Sequence, residues 1–394
     1  MKRRDFVKGA ALAAAGAGAL ALSACGDKED TKVVKDEATT DTTTDIIAET
    51  PAAPAIVKGK RELNLVTTWE KDFPGIGTGA QRLADSITAM SDGFLKVKLH
   101  ASGELVAAAD TFASVSEGRA DMYHSAEYYW GKTHPAFNFF TSVPFGLTAN
   151  EMNAWLYYGG GQELWDELSA GYNLKCFAAG NTGGQMGGWF KKKISTINDY
   201  KGLKIRMPGL GGEILKRIGA RALFLPGQEI YPSLKSGAID ATEWIGPWND
   251  LDYEFYKVTK YYYYPGFHEP GSTLSCGLNK DVWDDLTADH QAIIAAACGA
   301  ENTRMLSEYT AKNATALHTL VNKHKVILRR QPKGVLSAIA KAADEVVANA
   351  GASDDLAKRV YKSYMTFRKD VSGWTSVSET AFAAARKLDK KLGR

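Results

Sequence analysis

Between Glu62 and Leu99 the spacing of apolar residues changes twice, and this limits the folds open to the chain. Leu63 and Leu65 alternate with polar neighbours along Glu62–Val66, and Ala80, Leu83, Ala84 and Ile87 then recur at helical spacing. Leu95, Val97 and Leu99 return to a period of two. This is a strand–helix–strand unit, the building block of an α/β sheet covered by helices. A second helix, around Ala109–Ser116, ends at Gly118, and Arg119-Ala120-Asp121-Met122 starts another strand. The same ending returns at Leu234-Lys235-Ser236-Gly237, followed by Ala238-Ile239-Asp240. Both places read G-x-x-D, with glycine where a helix stops in a left-handed cap. The recurrence predicts two lobes of related topology.

Segment 174–207 supplies further strands at Lys175–Ala179 and Leu203–Met207, and Gly183, Gly184, Gly187 and Gly188 lie between them. Glycines so placed let the backbone approach something closely. The C-terminal part is helical. Val335, Ile339, Ala342 and Val346 share a face, as do Leu356, Val360, Phe367 and Val371. A last stripe runs through Val377, Ala381, Ala384 and Leu388. It is expected to pack on its own lobes, the alternative being a crossing to a second subunit.

The N-terminus carries Arg3-Arg4 and then an Ala/Gly-rich apolar run from Gly9 to Leu22, closed by Leu22-Ser23-Ala24-Cys25. This pattern reads as a twin-arginine export signal. The run is shorter than the roughly 18–20 residues of a spanning helix. Cysteine after Leu-Ser-Ala resembles a lipoprotein processing site, so Cys25 is expected to be the lipidated first residue of a periplasmic protein. The alternative is an ordinary signal cut near Ala24. Residues 27–56 are rich in Thr, Asp and Glu and nearly free of large apolar side chains, the composition of a flexible tether.

The chain holds 48 Lys and Arg against 45 Asp and Glu. Its first 24 residues take four of the basic and one of the acidic residues, so the remainder is formally neutral. Nucleic acid is therefore not an expected partner, because phosphate binding demands concentrated positive charge. Cys176, Cys276 and Cys298 form no zinc or redox motif and are expected to be buried packing.

Against this background a few polar residues stand in apolar or glycine-rich surroundings. They are Gln185 in N-T-G-G-Q-M-G-G-W-F, Arg206 in L-K-I-R-M-P-G, Glu243 in I-D-A-T-E-W and Glu269 in P-G-F-H-E-P-G. Burying such groups is costly unless they are satisfied, which points to a ligand or to tight mutual pairing. A guanidinium suits a carboxylate in bidentate geometry. Carboxylate and amide oxygens without nearby Cys or His partners fit a hard ion such as sodium or calcium, not zinc. Each residue also has an ordinary structural explanation: a strand-end arginine paired with an acid, a surface glutamate beside a core tryptophan, a loop glutamate capping amides. His268 reads as a local hydrogen-bonding group. Tyr128, Tyr129, Trp130 and Trp189 are pocket-lining or core aromatics. No G-x-S-x-G, H-E-x-x-H or P-loop pattern is present.

Several long blocks resemble the extracytoplasmic solute receptors of tripartite ATP-independent periplasmic (TRAP) transporters, DctP type. They include T-T-W-E-K-D-F-P-G-I-G-T-G-A at Thr67–Ala80, A-E-Y-Y-W-G-K-T-H-P-A at Ala126–Ala136 and V-P-F-G-L-T-A-N-E-M-N-A-W at Val143–Trp155. G-N-T-G-G-Q-M-G-G-W-F at Gly180–Phe190 and K-G-L-K-I-R-M-P-G-L-G-G-E at Lys201–Glu213 continue the series. It closes with S-G-A-I-D-A-T-E-W-I-G-P at Ser236–Pro247 and K-Y-Y-Y-Y-P-G-F-H-E-P-G at Lys260–Gly271. Within that family the chain looks most like receptors for 2-oxo monocarboxylates such as pyruvate and their lactate-binding relatives.

The resemblance implies an α/β, two-lobed periplasmic solute-binding fold, type II-like, with a long connecting helix and C-terminal helices. The expected division is a signal over 1–24, a tether over 25–57, lobe I over 58–153 plus about 238–282, and lobe II over about 154–237 plus about 283–352. Residues 353–394 would be C-terminal helices that could swap in a homodimer. Arg206 is the implied carboxylate grip, with Gln185, Glu243, Trp244, Asn181 and Tyr129 as further substrate contacts. Gln185, Glu243, the Trp244 carbonyl and Glu269 are the implied ligands of a bridging Na+ or Ca2+. The implied role is delivery of the acid to membrane permease subunits, without catalysis. The alternatives are a receptor for lactate or another 2-hydroxy acid with Ca2+, a dicarboxylate or sugar-acid receptor of the same fold, and an exported metal-dependent enzyme acting on 2-oxo acids.

Overall fold

The computed structural model describes residues 59–388. The export signal, Cys25 and the tether lie outside the described residues. Among the described residues eleven strands form two sheets. The first has the order β2-β1-β3-β10-β4, from β1 (Arg61–Thr67), β2 (Leu95–His100), β3 (Met122–Ser125), β4 (Leu174–Asn181) and β10 (Thr273–Asn279). The second has the order β11-β9-β5-β8-β6-β7. It comprises β5 (Gly188–Phe190), β6 (Lys204–Arg206), β7 (Arg221–Leu223), β8 (Ala241–Thr242), β9 (Tyr261–Tyr264) and β11 (Ile327–Arg330).

The opening unit forms as its spacing predicts. β1 pairs parallel with β2, Leu63 opposite Val97, and helix Ile76–Met90 crosses between them. That helix buries Ile76, Ala80, Leu83, Ala84 and Ile87, which removes its apolar stripe from water. β1 also pairs parallel with β3, whereas β10 runs antiparallel between β3 and β4, so the sheet is mixed. Gly118 and Gly237 both have positive φ, 76° and 82°, and both follow short helices as the repeated motif requires.

Strand pairing redraws the expected lobe segments. β8 and β9 fall within 238–282 yet belong to the six-stranded sheet, and β4 falls within 154–237 yet belongs to the five-stranded one. The chain changes sheets at the glycine turn between β4 and β5, changes back between β9 and β10, and crosses a third time between β10 and β11. Alternation tells which face of a strand is buried but not which sheet accepts it, so these crossings escape a reading of periodicity. The 31-residue helix Ala288–His318 supplies the long connecting element. Among the described residues no helix is long and apolar enough to cross a membrane.

Helix Lys333–Ala350 buries Val335, Ile339, Ala342 and Val346, and helix Asp355–Val377 buries Val360 and Tyr364. The last stripe departs from expectation. Val377 is 70% exposed, Leu388 82%, and neighbouring Trp374 69% and Phe382 67%, so it does not pack at home. Cys176, Cys276 and Cys298 are free and buried, in keeping with a packing role.

Candidate functional site

The parallel register of β6 and β8 places Arg206 opposite Thr242, and the amide of Glu243 donates to the Arg206 carbonyl at 3.2 Å. Two side chains 37 positions apart in sequence thereby leave neighbouring strand ends together. Both are 1% exposed. Arg206 Nη1 donates to Glu243 Oε1 and, at 3.1 Å, to the Glu243 carbonyl, while Nε donates to the Leu225 carbonyl at 3.2 Å. Among the described residues these bonds engage Nε and Nη1 and leave Nη2 without a hydrogen-bond partner. The guanidinium lies 5.0 Å from the Trp244 ring and 5.8 Å from the Phe224 ring, within range of a cation–π contact. Burial opposes the charge on Arg206, but Glu243 beside it raises its affinity for the proton above the ordinary value.

The remaining groups arrive on two loops laced together by their backbones. Gln185 N donates to the Glu269 carbonyl, and Gly266 N donates to the Gln185 carbonyl, each at 3.0 Å. Gln185 Nε2 is taken by Thr182 Oγ1 at 3.0 Å, so its Oε1 points away without a protein partner. Glu269 Oε2 is likewise buried and unpartnered. Burial pushes Glu269 up to about 7, against the attraction of His268.

His268 is 2% exposed and holds Glu243 Oε2 at 3.1 Å from its Nε2, which also lies 3.9 Å from Glu269 Oε1. Burial works against a charged imidazole, yet the hydrogen bond to Glu243 and the two carboxylates raise its pKa. Glu243, His268 and Glu269 each offer one ligand atom within 4.8 Å of the others. The sequence reading of His268 as a local hydrogen-bonding group is right about the bond and wrong about its being local. Its partner is 25 residues away on another strand end, and no spacing in the sequence signals that.

Tyr129 is half-buried and faces Trp69 at 6.1 Å and Phe224 at 5.2 Å between ring centroids. Burial pushes its hydroxyl up to about 12, with Arg206 opposing. Trp244 stands edge-on to Phe73 at 6.3 Å and leaves its Nε1 without a protein partner. Tyr129, Gln185 and Trp244 line one small cavity with Trp69, Tyr128 and Leu274. Asn181 is fully buried, and both ends of its amide are committed: Nδ2 donates to Thr273 Oγ1 at 3.1 Å and Oδ1 accepts from Gly183 N at 2.8 Å. It holds the glycine turn in place. Of the other expected aromatics, Trp189 stacks on Tyr262 and Trp130 packs against Phe112, both in the core. Sequence reasoning missed Trp69 and Leu274 as cavity walls, although Trp69 lies inside the conspicuous T-T-W-E run.

Buried oxygens without donors are costly, and the orphaned pair here is one amide oxygen and one carboxylate oxygen. A hard cation satisfies such a set, so these residues fit sodium or calcium. The site therefore presents fixed positive charge on Arg206 beside oxygens suited to an ion, the arrangement expected for capturing a small anion.

The comparisons with known proteins bear on this geometry. Residues 66–354 match the bacterial extracellular solute-binding proteins of family 7, DctP, and the chain belongs to that family. It is 39% identical over 319 residues to the monocarboxylate 2-oxoacid-binding periplasmic protein of Nostoc sp. strain PCC 7120, covering 81% of this chain and 87% of that one. A TRAP periplasmic solute-binding protein from Pseudoalteromonas atlantica, solved with bound sodium and pyruvate, is 39% identical with a TM-score of 0.80. The match spans 82% of this chain and 99% of that one. A counterpart from Colwellia psychrerythraea, solved with calcium and pyruvate, is 38% identical with a TM-score of 0.80 over 83% and 99% of the two chains. A third, from Bordetella bronchiseptica, is 34% identical with a TM-score of 0.81 over 84% and 100%. Its structure is described as a mixed-occupancy dimer with copurified calcium and picolinate in the active site versus an apo site.

Proposed function

We propose that this protein is the extracytoplasmic receptor of a TRAP transporter, binding a pyruvate-like 2-oxo monocarboxylate together with a Na+ or Ca2+ ion and passing it to the membrane permease. The observation that carries the reading is the pair of buried, unpartnered oxygens, Gln185 Oε1 and Glu269 Oε2, beside the Arg206–Glu243 pair. Gln185, Glu243, Glu269 and the Trp244 carbonyl would hold the ion, which supplies the positive charge that lets an anion enter beside two glutamates. Arg206 binds and orients the carboxylate through its free Nη2. Trp244 and Tyr129 exclude water and bound the tail, and Asn181 acts by fixing the turn that carries Gln185. No bond is made or broken in this scheme, and the protein is not an enzyme.

Isothermal titration with pyruvate, lactate and succinate, each with and without sodium or calcium, tests the reading. Pyruvate is expected to bind tightest and only with the cation present. Succinate binding where pyruvate does not would overturn it. Recovery of pyruvate chemically unchanged after long incubation is the expected result against an enzyme.

The reading extends to assembly and location. Trp374, Val377, Phe382 and Leu388 expose more apolar surface than a solitary receptor needs, which supports a homodimer through the last two helices. Sedimentation equilibrium at tens of micromolar is expected to give twice the chain mass, and a monomer there would remove the dimer. Export by the twin-arginine signal and anchoring through lipidated Cys25 rest on residues 1–25 of the sequence alone, and the mass of the mature N-terminal peptide decides between lipidation and a plain cut.

A further inference from the structure

Glu243 is the most heavily committed acid of the site, and its two oxygens are claimed from opposite sides. Arg206 holds Oε1, and the Nε2 of His268 lies 3.1 Å from Oε2. The backbone that carries the imidazole is itself clamped. Ser142 Oγ donates to the His268 carbonyl at 3.3 Å, and Phe145 N donates to the Phe267 carbonyl at 2.8 Å. Helix Gly209–Arg217 passes directly over the ring's base, where a Cβ on Gly211 would come within 2.8 Å of the His268 Cβ. Any side chain at position 211 would displace His268. Within the run P-G-L-G-G-E, Gly211 is therefore the position where packing on His268 requires glycine.

A buried imidazole on a backbone held in this way costs conformational freedom and leaves Nδ1 without a protein partner. The fold keeps that cost where a carboxylate has to face a fixed direction. We infer that His268 is a positioning residue for the cation site: its Nε2–H holds Glu243 Oε2 so that the carboxylate cannot swing onto Arg206 with both oxygens. Without that hold, Arg206 and Glu243 would close into a bidentate pair, the geometry a guanidinium prefers. The guanidinium would then lose its free Nη2 and the ion would lose a ligand oxygen. The inference rests on the receptor reading above and deepens it. It also takes Nε2 out of the ligand set, because a nitrogen that donates its proton to Glu243 has no lone pair to offer a metal.

Two variants of similar polarity test it in the full chain. His268→Gln places an amide nitrogen where Nε2 stood, and His268→Asn has one that falls short of Glu243. Circular dichroism and ion-free thermal melts first establish that both fold. Calcium is then titrated alone, followed by pyruvate in saturating calcium. The Asn variant is expected to lose tenfold or more in calcium affinity and at least as much for pyruvate, whereas the Gln variant stays within threefold of the unaltered chain. Equal affinity in all three proteins would overturn the inference, as would a Gln variant as weak as the Asn one. A preference of the unaltered chain for zinc over calcium, lost in both variants, would make His268 a direct ligand and overturn it as well. Failure of the unaltered chain to take up calcium or pyruvate would instead bring down the receptor reading, and this inference with it.

Discussion

Arg206→Lys is expected to weaken pyruvate binding at least tenfold in the presence of calcium, about 1.4 kcal/mol, with most of the loss in the bound-state lifetime. The reason lies in how many partners one guanidinium serves. Arg206 donates to the Glu243 side chain, the Glu243 carbonyl and the Leu225 carbonyl, and still presents Nη2. A lysine ammonium is one point charge with three donors on a flexible stem and cannot reach all of these from the end of β6. At 1% exposure the charge also has no water to make up the difference. The variant should fold, since a cation still faces Glu243, though a lower melting temperature is expected because the carbonyls of Leu225 and Glu243 lose donors. Titration calorimetry at constant calcium reads the affinity. An unchanged dissociation constant would take Arg206 out of the site and leave it a structural partner of Glu243.

Much of the molecule is legible in the residues, because the signals that were read are local. The alternation in β1 and β2 and the stripe of helix Ile76–Met90 depend only on near neighbours, and the structure keeps all three. The unusual settings of Arg206, Glu243, Gln185 and Glu269 are also local facts, and burial of every one follows from them. What escapes is long-range. β4 and β8 carry ordinary strand signals, and nothing in their composition says that β4 joins the five-stranded sheet and β8 the six-stranded one. His268 looks like a loop histidine until β8 and the loop after β9 are folded together. Its hydrogen bond to Glu243 is therefore a product of topology. The stripe Val377–Leu388 fails for a different reason: an amphipathic pattern reports that a face wants cover, not which chain provides it.

Glu269→Gln is expected to lower calcium affinity at least a hundredfold, about 2.7 kcal/mol, while leaving the ion-free protein as stable as before or more so. Replacing the carboxylate by an amide removes a full negative charge from beside the ion. Two unit charges about 4 Å apart interact by about 4 kcal/mol at the effective dielectric of a partly wet site, and calcium doubles the attraction. The same substitution relieves the ion-free fold. Glu269 is 3% exposed with an unpartnered Oε2, and its neighbour Glu243 is a second buried acid. Without the cation such a carboxylate is a cost that an amide of equal shape avoids. Affinity and stability should therefore move in opposite directions, a pattern that general damage to the loop cannot produce. Gln185→Leu removes a neutral oxygen and should cost less affinity than Glu269→Gln, so the order of the two losses is itself diagnostic. Calcium titrations paired with ion-free thermal melts supply both numbers. Full calcium affinity in Glu269→Gln would mean that the ion, if bound, sits away from Oε2, and the charge-pairing account of the site would have to be abandoned.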